Sequence, residues 1–207
     1  MESTWLNYAK QLQAIASTGL HYCKDEFDRE RYQHIADIAH MMLAELATVP
    51  LARIQGLVSD FAQGYVTPKV DVRGALIEDD RILLVREKSD RLWTLPGGFA
   101  DIGLSAGENI AKEFMEEAGI RVTPGALYSV RHKAKHAYAQ DVRDFYKIFF
   151  VCERLDQGAP CCGGETIDVG FFTLDALPPL SKGRVIDADI QLAFAFKRTS
   201  PALVVFD

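Results

Sequence analysis

The sequence predicts an α+β protein in which a small all-helical segment precedes a larger domain built on a mixed β-sheet. Apolar residues recur at helical spacing through residues 1–62. From residue 70 onward, short apolar or alternating runs bounded by Gly, Pro and acidic residues indicate strands. One short helix with strong start and stop signals interrupts these strands. The three observations predict a helical domain over residues 1–66 and a second domain over residues 67–207.

Three helices are expected in the first domain. The first is predicted to end at Gly19, and Asp25 or Asp28 can cap the second. Pro50 suits the first turn of the third. Three amphipathic helices have too little surface of their own for a stable free domain. We therefore expect them to pack on the following domain or on a second copy of the chain.

The second domain follows a linker at residues 63–69, where Gly and Pro break the helical pattern. We expect strands over residues 70–77, 81–86, 120–122, 126–133 and 145–152. A last helix, from about residue 187 through residue 196, is expected to pack back on the sheet. The tail at residues 202–206 can add a short strand.

The helix between the strands has well-marked limits. Ser105 followed by Glu108 is a capping box, which predicts a helix start near Ala106. Gly119 stands where a left-handed C-terminal residue belongs, so the helix should end near Ala118. Its apolar stripe can be buried, and that stripe consists of Ile110, Phe114 and Ala118.

The same helix carries a face of three carboxylates, Glu113, Glu116 and Glu117. Like charges at this spacing repel one another, and the negative end of the helix dipole adds a second penalty. A hard cation such as Mg²⁺ or Mn²⁺ would relieve both costs. The spacing alone is equally compatible with a solvated acidic face.

Residues 96–120 also resemble the Nudix box, Gly-x5-Glu-x7-Arg-Glu-U-x-Glu-Glu-x-Gly-U, where U is a bulky aliphatic residue. Aligning Gly98 with the first glycine places the three glutamates, Gly119 and the residues at both U positions in register. Leu104 and Lys112 depart from the Glu and Arg that pair with each other in the family. The resemblance implies a Nudix α/β/α sandwich and a Mg²⁺-dependent hydrolase, with Mn²⁺ as a possible substitute.

The family resemblance extends to the roles of individual residues. Metal ligands would come from Gly98, Glu113, Glu116 and Glu117, with Glu113 and Glu117 also catalytic. Glu165 lies before an aromatic pair at a position where the family can place a further ligand or the general base, and Asp168 is second. Candidate substrate contacts are Arg73, Arg86, Phe99, Arg131, Lys133 and Tyr138.

The helical segment is similar to the N-terminal extension of a Nudix subgroup that hydrolyses nucleoside diphosphates linked to another group. That likeness implies a homodimer. Its expected substrate is ADP-ribose, with CDP-choline or another CDP-alcohol as the alternative, and the products are a nucleoside monophosphate and phospho-X. The departures at Leu104 and Lys112 leave open a different class of protein, a catalytically weak nucleotide sensor with a protein partner.

Composition excludes several other classes. A net charge of −6 argues against general affinity for nucleic acid or anionic membranes. No stretch approaches the roughly 20 apolar residues of a membrane span, and the N-terminal residues do not resemble a signal peptide. A cytoplasmic protein is therefore expected. The four cysteines contain no Cys-x-x-Cys pair, which argues against a zinc ribbon.

Overall fold

The computed structural model describes residues 2–47, 51–52, 54–55, 64–199 and 203–207. The chain divides into two units. The first comprises Met1–Pro68 with Gln140–Asp144, and the second comprises Lys69–Ala139 with Phe145–Asp207. Among the described residues, no helix combines the length and the apolar character that crossing a membrane requires.

The first unit contains helices α1 (Thr4–Tyr22) and α2 (Glu26–Ala47). Asp25 caps α2, because its carboxylate accepts the Asp28 N–H at 3.0 Å. Leu6, Ala9, Leu43 and Ile54 are buried together as the apolar core of the unit. Residues 51–52 and 54–55 are helical. Pro50 and the remainder of the expected third helix lie outside the described residues.

The prediction that α1 ends at Gly19 is wrong, because the helix continues to Tyr22. A Cβ added at Gly19 would lie 2.4 Å from the ring of Tyr32 on α2. The missing side chain therefore lets the two helices approach closely. A glycine that serves helix packing has the same sequence signal as a glycine that ends a helix.

The described part of the second unit contains one sheet and two α-helices. The strands are β1 (Lys69–Glu78), β2 (Arg81–Glu87), β3 (Trp93–Thr94), β4 (Gly97–Phe99), β5 (Val122–His132), β6 (Phe145–Arg154), β7 (Thr166–Thr173) and β8 (Val205–Phe206). The helices are α3 (Ala106–Ala118) and α4 (Asp187–Arg198), and short 3-10 turns occupy Lys133–Lys135 and Leu174–Ala176. The strand order is β3-β2-β1-β6-β5-β8, with β4 also paired to β1 and β7 to β2.

The sheet is mixed, as expected, since β1–β6 and β5–β8 are parallel and the other pairs are antiparallel. Ile110 and Phe114 of α3 pack with Val72 and other sheet residues in one apolar cluster. Ile190 and Phe194 of α4 pack with different sheet residues in a second cluster. The sheet therefore lies between two helical layers, which confirms the α/β/α sandwich.

Strand limits differ from the prediction mainly around β5. The two short strands expected at residues 120–122 and 126–133 form one strand, Val122–His132, whose register shifts between Pro124 and Ala126 and again between Leu127 and Ser129. The irregularities interrupt the alternation of apolar residues, so the sequence reads as two segments. The acidic turn between β1 and β2 is confirmed, with positive φ at Asp79 and Asp80.

Candidate active site

Helix α3 begins and ends as its sequence predicts. The Glu108 N–H donates to Ser105 Oγ at 3.2 Å, and the Ser105 N–H donates to Glu108 Oε2 at 2.7 Å. Gly119 ends the helix in the left-handed conformation, with φ 64°. The apolar stripe is fully buried. Because that stripe is buried, the rotation of the helix about its axis is fixed. In this rotation Glu113 and Glu117 face strand β4.

Two of the three glutamates lie against the double glycine of β4. The Glu117 carboxylate is 4% exposed, and its Oε2 accepts the Gly97 N–H at 2.9 Å. A Cβ added at Gly98 would lie 2.6 Å from Glu113 Oε1, so that carboxylate occupies space that any other residue would fill. The structure thus brings Gly98, Glu113 and Glu117 together, as the motif predicts.

Burial sets the charge state of these carboxylates. It raises the pKa of Glu117 to about 8, against the opposing effects of Arg73 and of the Gly97 N–H. Burial also raises the pKa of Glu113, and the negative charges of Glu116 and Glu165 add to that effect. Glu165 is therefore close enough to share the electrostatic environment of the box.

The third glutamate, Glu116, contacts Lys112, which stands where the family has Arg. Lys112 contacts Glu116 at 2.7 Å and Asp101 at 3.2 Å. Asp101 therefore supplies the acidic partner that Leu104 cannot provide. The hydrogen bonds to Glu116 and Asp101 raise the pKa of Lys112, so this side chain is cationic at neutral pH. Lys112 and Asp101 thus form an ion pair where the family has a Glu–Arg pair.

Glu113 and Glu117 could hold a divalent cation, because their carboxylates both lie against the double glycine of β4. Among the residues that the structure describes, no three Asp, Glu, His or Cys side chains are arranged to hold an ion together. Glu116 is turned toward Lys112, which donates to its Oε2 at 2.7 Å, so its role as a metal ligand stays a prediction.

A loop before β7 joins Glu165 to the end of α3. The Cys161 N–H donates to the Ala118 carbonyl at 2.9 Å, and Thr166 Oγ1 donates to the Glu117 carbonyl at 2.8 Å. The Gly163 N–H donates to Thr166 Oγ1 at 2.9 Å. These donors satisfy carbonyls that a helix end leaves without partners. The loop therefore holds the segment that carries Glu165 against the end of α3.

Replacing Gly163 by alanine should separate the loop from α3, because the new Cβ would lie 1.4 Å from the Glu116 carbonyl oxygen. We expect a lower melting temperature and a lower kcat. Gly164→Ala is the matched control, since nothing lies within 4 Å of a Cβ at that neighbouring position. Equal melting temperatures and rates for the two variants would contradict the assigned contact between loop and helix.

Arg73, expected as a substrate contact, is 3% exposed and bound inside the protein. Its Nε and Nη2 each donate to an oxygen of Asp71 at 3.0 Å, and its Nη1 donates to the Leu95 carbonyl at 3.1 Å. Lys147 Nζ donates to the same Asp71 carboxylate at 2.7 Å. Burial alone would raise the pKa of Asp71, but the two cations lower it to about 2. Asp71, Arg73 and Lys147 form what we call the Asp71 cluster.

Arg131 and Tyr138, also expected as substrate contacts, share a second buried carboxylate. The Tyr138 hydroxyl donates to Asp189 Oδ2 at 2.6 Å, and Arg131 Nη1 lies 3.1 Å from Asp189 Oδ1. Lys147 Nζ lies 5.4 Å from the centroid of the Tyr138 ring, which connects this group to the Asp71 cluster. Their role toward substrate remains a prediction.

The other expected contacts occupy two places. Phe99 stacks on Phe145, with ring centroids 5.6 Å apart and planes within 4° of parallel, and Lys133 Nζ lies 4.8 Å from the Phe145 centroid. Phe145 is buried and Phe99 is half-exposed, so Phe99, next to the double glycine, is the ring suited to stacking with a base. Arg86 instead donates its Nε to the Arg91 carbonyl at 2.7 Å.

Sequence reasoning missed Asp71, Lys147, Asp189 and Glu87. Glu87 is buried on β2 and lies 3.2 Å from Arg184. Burial raises its pKa, and Arg184 and Arg73 oppose that effect. One signal was available for Asp71 and Lys147, because each stands between two apolar residues within a strand. A charge at such a position is rarely buried without a partner.

Comparisons with known proteins agree with this geometry. A NUDIX domain model matches residues 67–192, and a model described as a UDP-X-like, N-terminal oligomerisation domain matches residues 3–58. The Bacillus subtilis protein named "Putative ADP-ribose pyrophosphatase YjhB" is 41% identical over 207 residues, which is 100% of this chain and 99% of that protein.

Two solved structures are also similar. An ADP-ribose pyrophosphatase from Streptococcus suis has 37% identity and a TM-score of 0.62, covering 68% of this chain and 100% of that chain. A UDP-X diphosphatase has 32% identity and a TM-score of 0.63, covering 100% of both chains. The fold, the glutamate helix and these similarities together show that the chain belongs to the Nudix hydrolase family and carries the UDP-X-like N-terminal domain before its catalytic domain.

Proposed function

We propose that this protein is a Mg²⁺-dependent hydrolase that cleaves the diphosphate bond of a nucleoside diphosphate linked to X, with ADP-ribose as the first substrate. The observation that carries the hydrolytic part of the proposal is the placement of Glu113 and Glu117 against the double glycine of β4. Nudix hydrolases generally use divalent metal ions. The names of the Bacillus subtilis and Streptococcus suis relatives support the choice of ADP-ribose.

The glutamates would hold the metal, with Glu113 and Glu117 as the principal ligands and Glu116 joining them after leaving Lys112. Bound Mg²⁺ supplies charge neutralisation at the diphosphate and lowers the pKa of a coordinated water. The Gly97 N–H fixes the orientation of the Glu117 carboxylate. Lys112 balances the charge of Glu116 before the substrate arrives.

A carboxylate must also accept the proton of the attacking water, and Glu165 is our candidate. It is exposed at the end of a loop that is fastened to α3, and its charge reaches Glu113. An exposed carboxylate can accept a proton and release it to solvent without a burial cost.

Glu165→Gln should lower kcat by about 10²- to 10⁴-fold, because the amide cannot accept the proton, and should leave KM for substrate nearly unchanged. Steady-state kinetics at saturating Mg²⁺ would measure both constants. Asp168→Asn, in the same region, is the comparison variant. An unaltered kcat in Glu165→Gln would return the role of base to a glutamate of the box.

A UDP-linked substrate is a second candidate, because the N-terminal domain model and the UDP-X diphosphatase together match the whole chain. CDP-choline is the third. The half-exposed ring of Phe99, which is stacked on Phe145, would stack with any of these bases. Activity measurements on these three classes of substrate are therefore needed to distinguish them.

A panel of ADP-ribose, UDP-glucose, CDP-choline, diadenosine polyphosphates, NADH and nucleoside triphosphates should be incubated with the protein and Mg²⁺. We expect ADP-ribose to give AMP and ribose 5-phosphate with the highest kcat/KM. A higher kcat/KM for another diphosphate would replace ADP-ribose as substrate. Tight binding without any nucleotide product would favour the sensor function and overturn the enzymatic proposal.

We further infer that the protein is a homodimer that associates through helix α1. The exposed face of α1 is apolar at helical spacing and comprises Trp5, Tyr8, Leu12, Ile15 and Tyr22. An exposed apolar stripe on a helix of an oligomerisation-type domain is suited to contact with a second copy.

Ile15→Glu should convert the dimer to a monomer, because a charge would be placed in the centre of the apolar stripe. Light scattering after size exclusion would measure the mass of the particle. Leu155→Glu is the control, since Leu155 is similarly exposed at 61%, compared with 57% for Ile15, but lies in the catalytic unit. A dimer that persists in Ile15→Glu would exclude this face as the interface.

A further inference from the structure

Arg73 uses all three nitrogens of its guanidinium inside the protein. Two of them form a paired contact with Asp71, and the third donates to the Leu95 carbonyl. A guanidinium that forms two parallel hydrogen bonds with one carboxylate has a single orientation. The direction of its third nitrogen, Nη1, is therefore fixed as well. The contact with Asp71 therefore directs Arg73 Nη1 toward the carbonyl oxygen of Leu95.

That oxygen belongs to the segment that presents Gly97 to Glu117. Leu95 lies two residues before Gly97, and Arg73 is the Cα partner of Gly97 in the pairing of β1 with β4. The Gly74 N–H also donates to the Pro96 carbonyl at 2.9 Å. Residues 95–97 are thus fastened to β1 by both a side chain and the main chain. The N–H of Gly97 is the donor that holds the Glu117 carboxylate.

Building on the proposed function, we propose that Arg73 is a positioning residue for the hydrolysis. It fixes residues 95–97 so that the Gly97 N–H keeps the Glu117 carboxylate in the orientation that metal binding requires. Arg73 thus acts through Glu117 and makes no contact with the substrate. This differs from the role as a substrate contact that its sequence position suggested.

Burial supports this role. The guanidinium is enclosed in the protein, where a diphosphate would have to displace Asp71 to reach it. The Asp71 cluster contains two cations and one carboxylate, and Lys147 is only 1% exposed.

Arg73→Lys is the decisive variant. Lysine keeps the positive charge, but its single nitrogen cannot form two parallel hydrogen bonds with Asp71 and a third with the Leu95 carbonyl in one fixed geometry. We expect kcat and Mn²⁺ affinity each to fall about 10- to 100-fold, as for other residues that orient metal ligands, while KM for substrate stays unchanged. Hydrogen exchange of the Gly97 amide in the metal-free protein should become faster. Mn²⁺ binding would be followed by electron paramagnetic resonance.

Arg81→Gln is the control, since Arg81 is an exposed arginine of the same sheet, and it should change none of these quantities. A raised KM with unchanged kcat would overturn the proposal in favour of a substrate contact. Unchanged protection of the Gly97 amide in Arg73→Lys would overturn it as well.

Asp71→Asn is the alternative variant if Arg73→Lys does not fold. Asparagine keeps one hydrogen-bond acceptor for the Arg73 guanidinium and loses the other, so the guanidinium is held less firmly. The same three quantities should then change in the same directions, and unchanged values would overturn the proposal. The Mn²⁺ and hydrogen-exchange measurements do not depend on the substrate. If the wild-type protein cleaved no nucleoside diphosphate, the proposed function would fail while these two measurements would still decide the role of Arg73.

Discussion

Replacing Glu117 by glutamine is expected to reduce kcat by about 10²- to 10⁴-fold or more while the protein remains folded. The glutamine side-chain oxygen can still accept the Gly97 N–H, so the local geometry is preserved. The amide carries no charge, however, and neutral ligands bind Mg²⁺ weakly. Kinetics with Mg²⁺ and a thermal melt of the same sample would measure activity and folding together.

The pH dependence of stability gives this variant a second signature. Folding raises the pKa of Glu117 from 4.5 to about 8, so the folded metal-free protein binds more protons than the unfolded chain between these pH values. The free energy of unfolding should therefore fall as pH rises from about 4.5 to about 8. Glu117→Gln cannot ionise, and it should lose less stability over that range.

Mn²⁺ should stabilise the wild type more than Glu117→Gln, because it raises the melting temperature only of a protein that binds it. We expect a clear increase for the wild type at pH 8 and little for Glu117→Gln. Glu153→Gln, an exposed glutamate on β6, should behave like the wild type. Wild-type activity in Glu117→Gln would remove this residue from the metal site.

Replacing Asp71 by alanine should have the largest effect on stability, a loss of about 3–5 kcal/mol in the free energy of unfolding. The substitution would leave Arg73 and Lys147 buried without the carboxylate that neutralises them. The pKa of Asp71 is lowered to about 2, so its contribution is present above pH 4 and is lost as pH falls toward 2. Urea unfolding at pH 7 would measure the loss.

Two further variants define the origin of that effect. Asp175→Ala removes an exposed carboxylate and should change the free energy of unfolding little. Asp71→Ala combined with Lys147→Met should recover part of the stability, since one of the two unpaired cations is then removed. If Asp71→Ala were as stable as Asp175→Ala, the cluster would contribute nothing measurable.

Local signals explain what the sequence predicted well. The limits of α3 follow from a capping box and a left-handed glycine, and both signals lie within a few residues of the helix ends they determine. The limits of β1, β2 and α4 were predicted to within about two residues, because their apolar periodicity is uninterrupted. The spacing of the glutamates correctly predicted that Glu113 and Glu117 lie close together on α3, while their role as metal ligands stays a prediction.

Contacts between distant residues were not predictable in the same way. Asp71 and Lys147 are 76 positions apart, and Tyr138 and Asp189 are 51 positions apart. Their pairing depends on the parallel neighbours β1 and β6 and on the packing of α4, which periodicity does not specify. Arg73, Arg131 and Tyr138 were therefore expected to face a ligand, although each has a carboxylate partner inside the protein.

The donors that Cys161 and Thr166 supply to α3 have a consequence for the order of assembly. The helix contains the entire glutamate motif by residue 117, but the groups that saturate its last carbonyls arrive more than 40 residues later in the chain. A nascent chain that has emerged only as far as β6 has the acidic residues without their support, so its helix end frays. Competence to capture a divalent ion should therefore arise late in synthesis, when β7 pairs with β2, and ion uptake can serve as a reporter that the catalytic unit is complete.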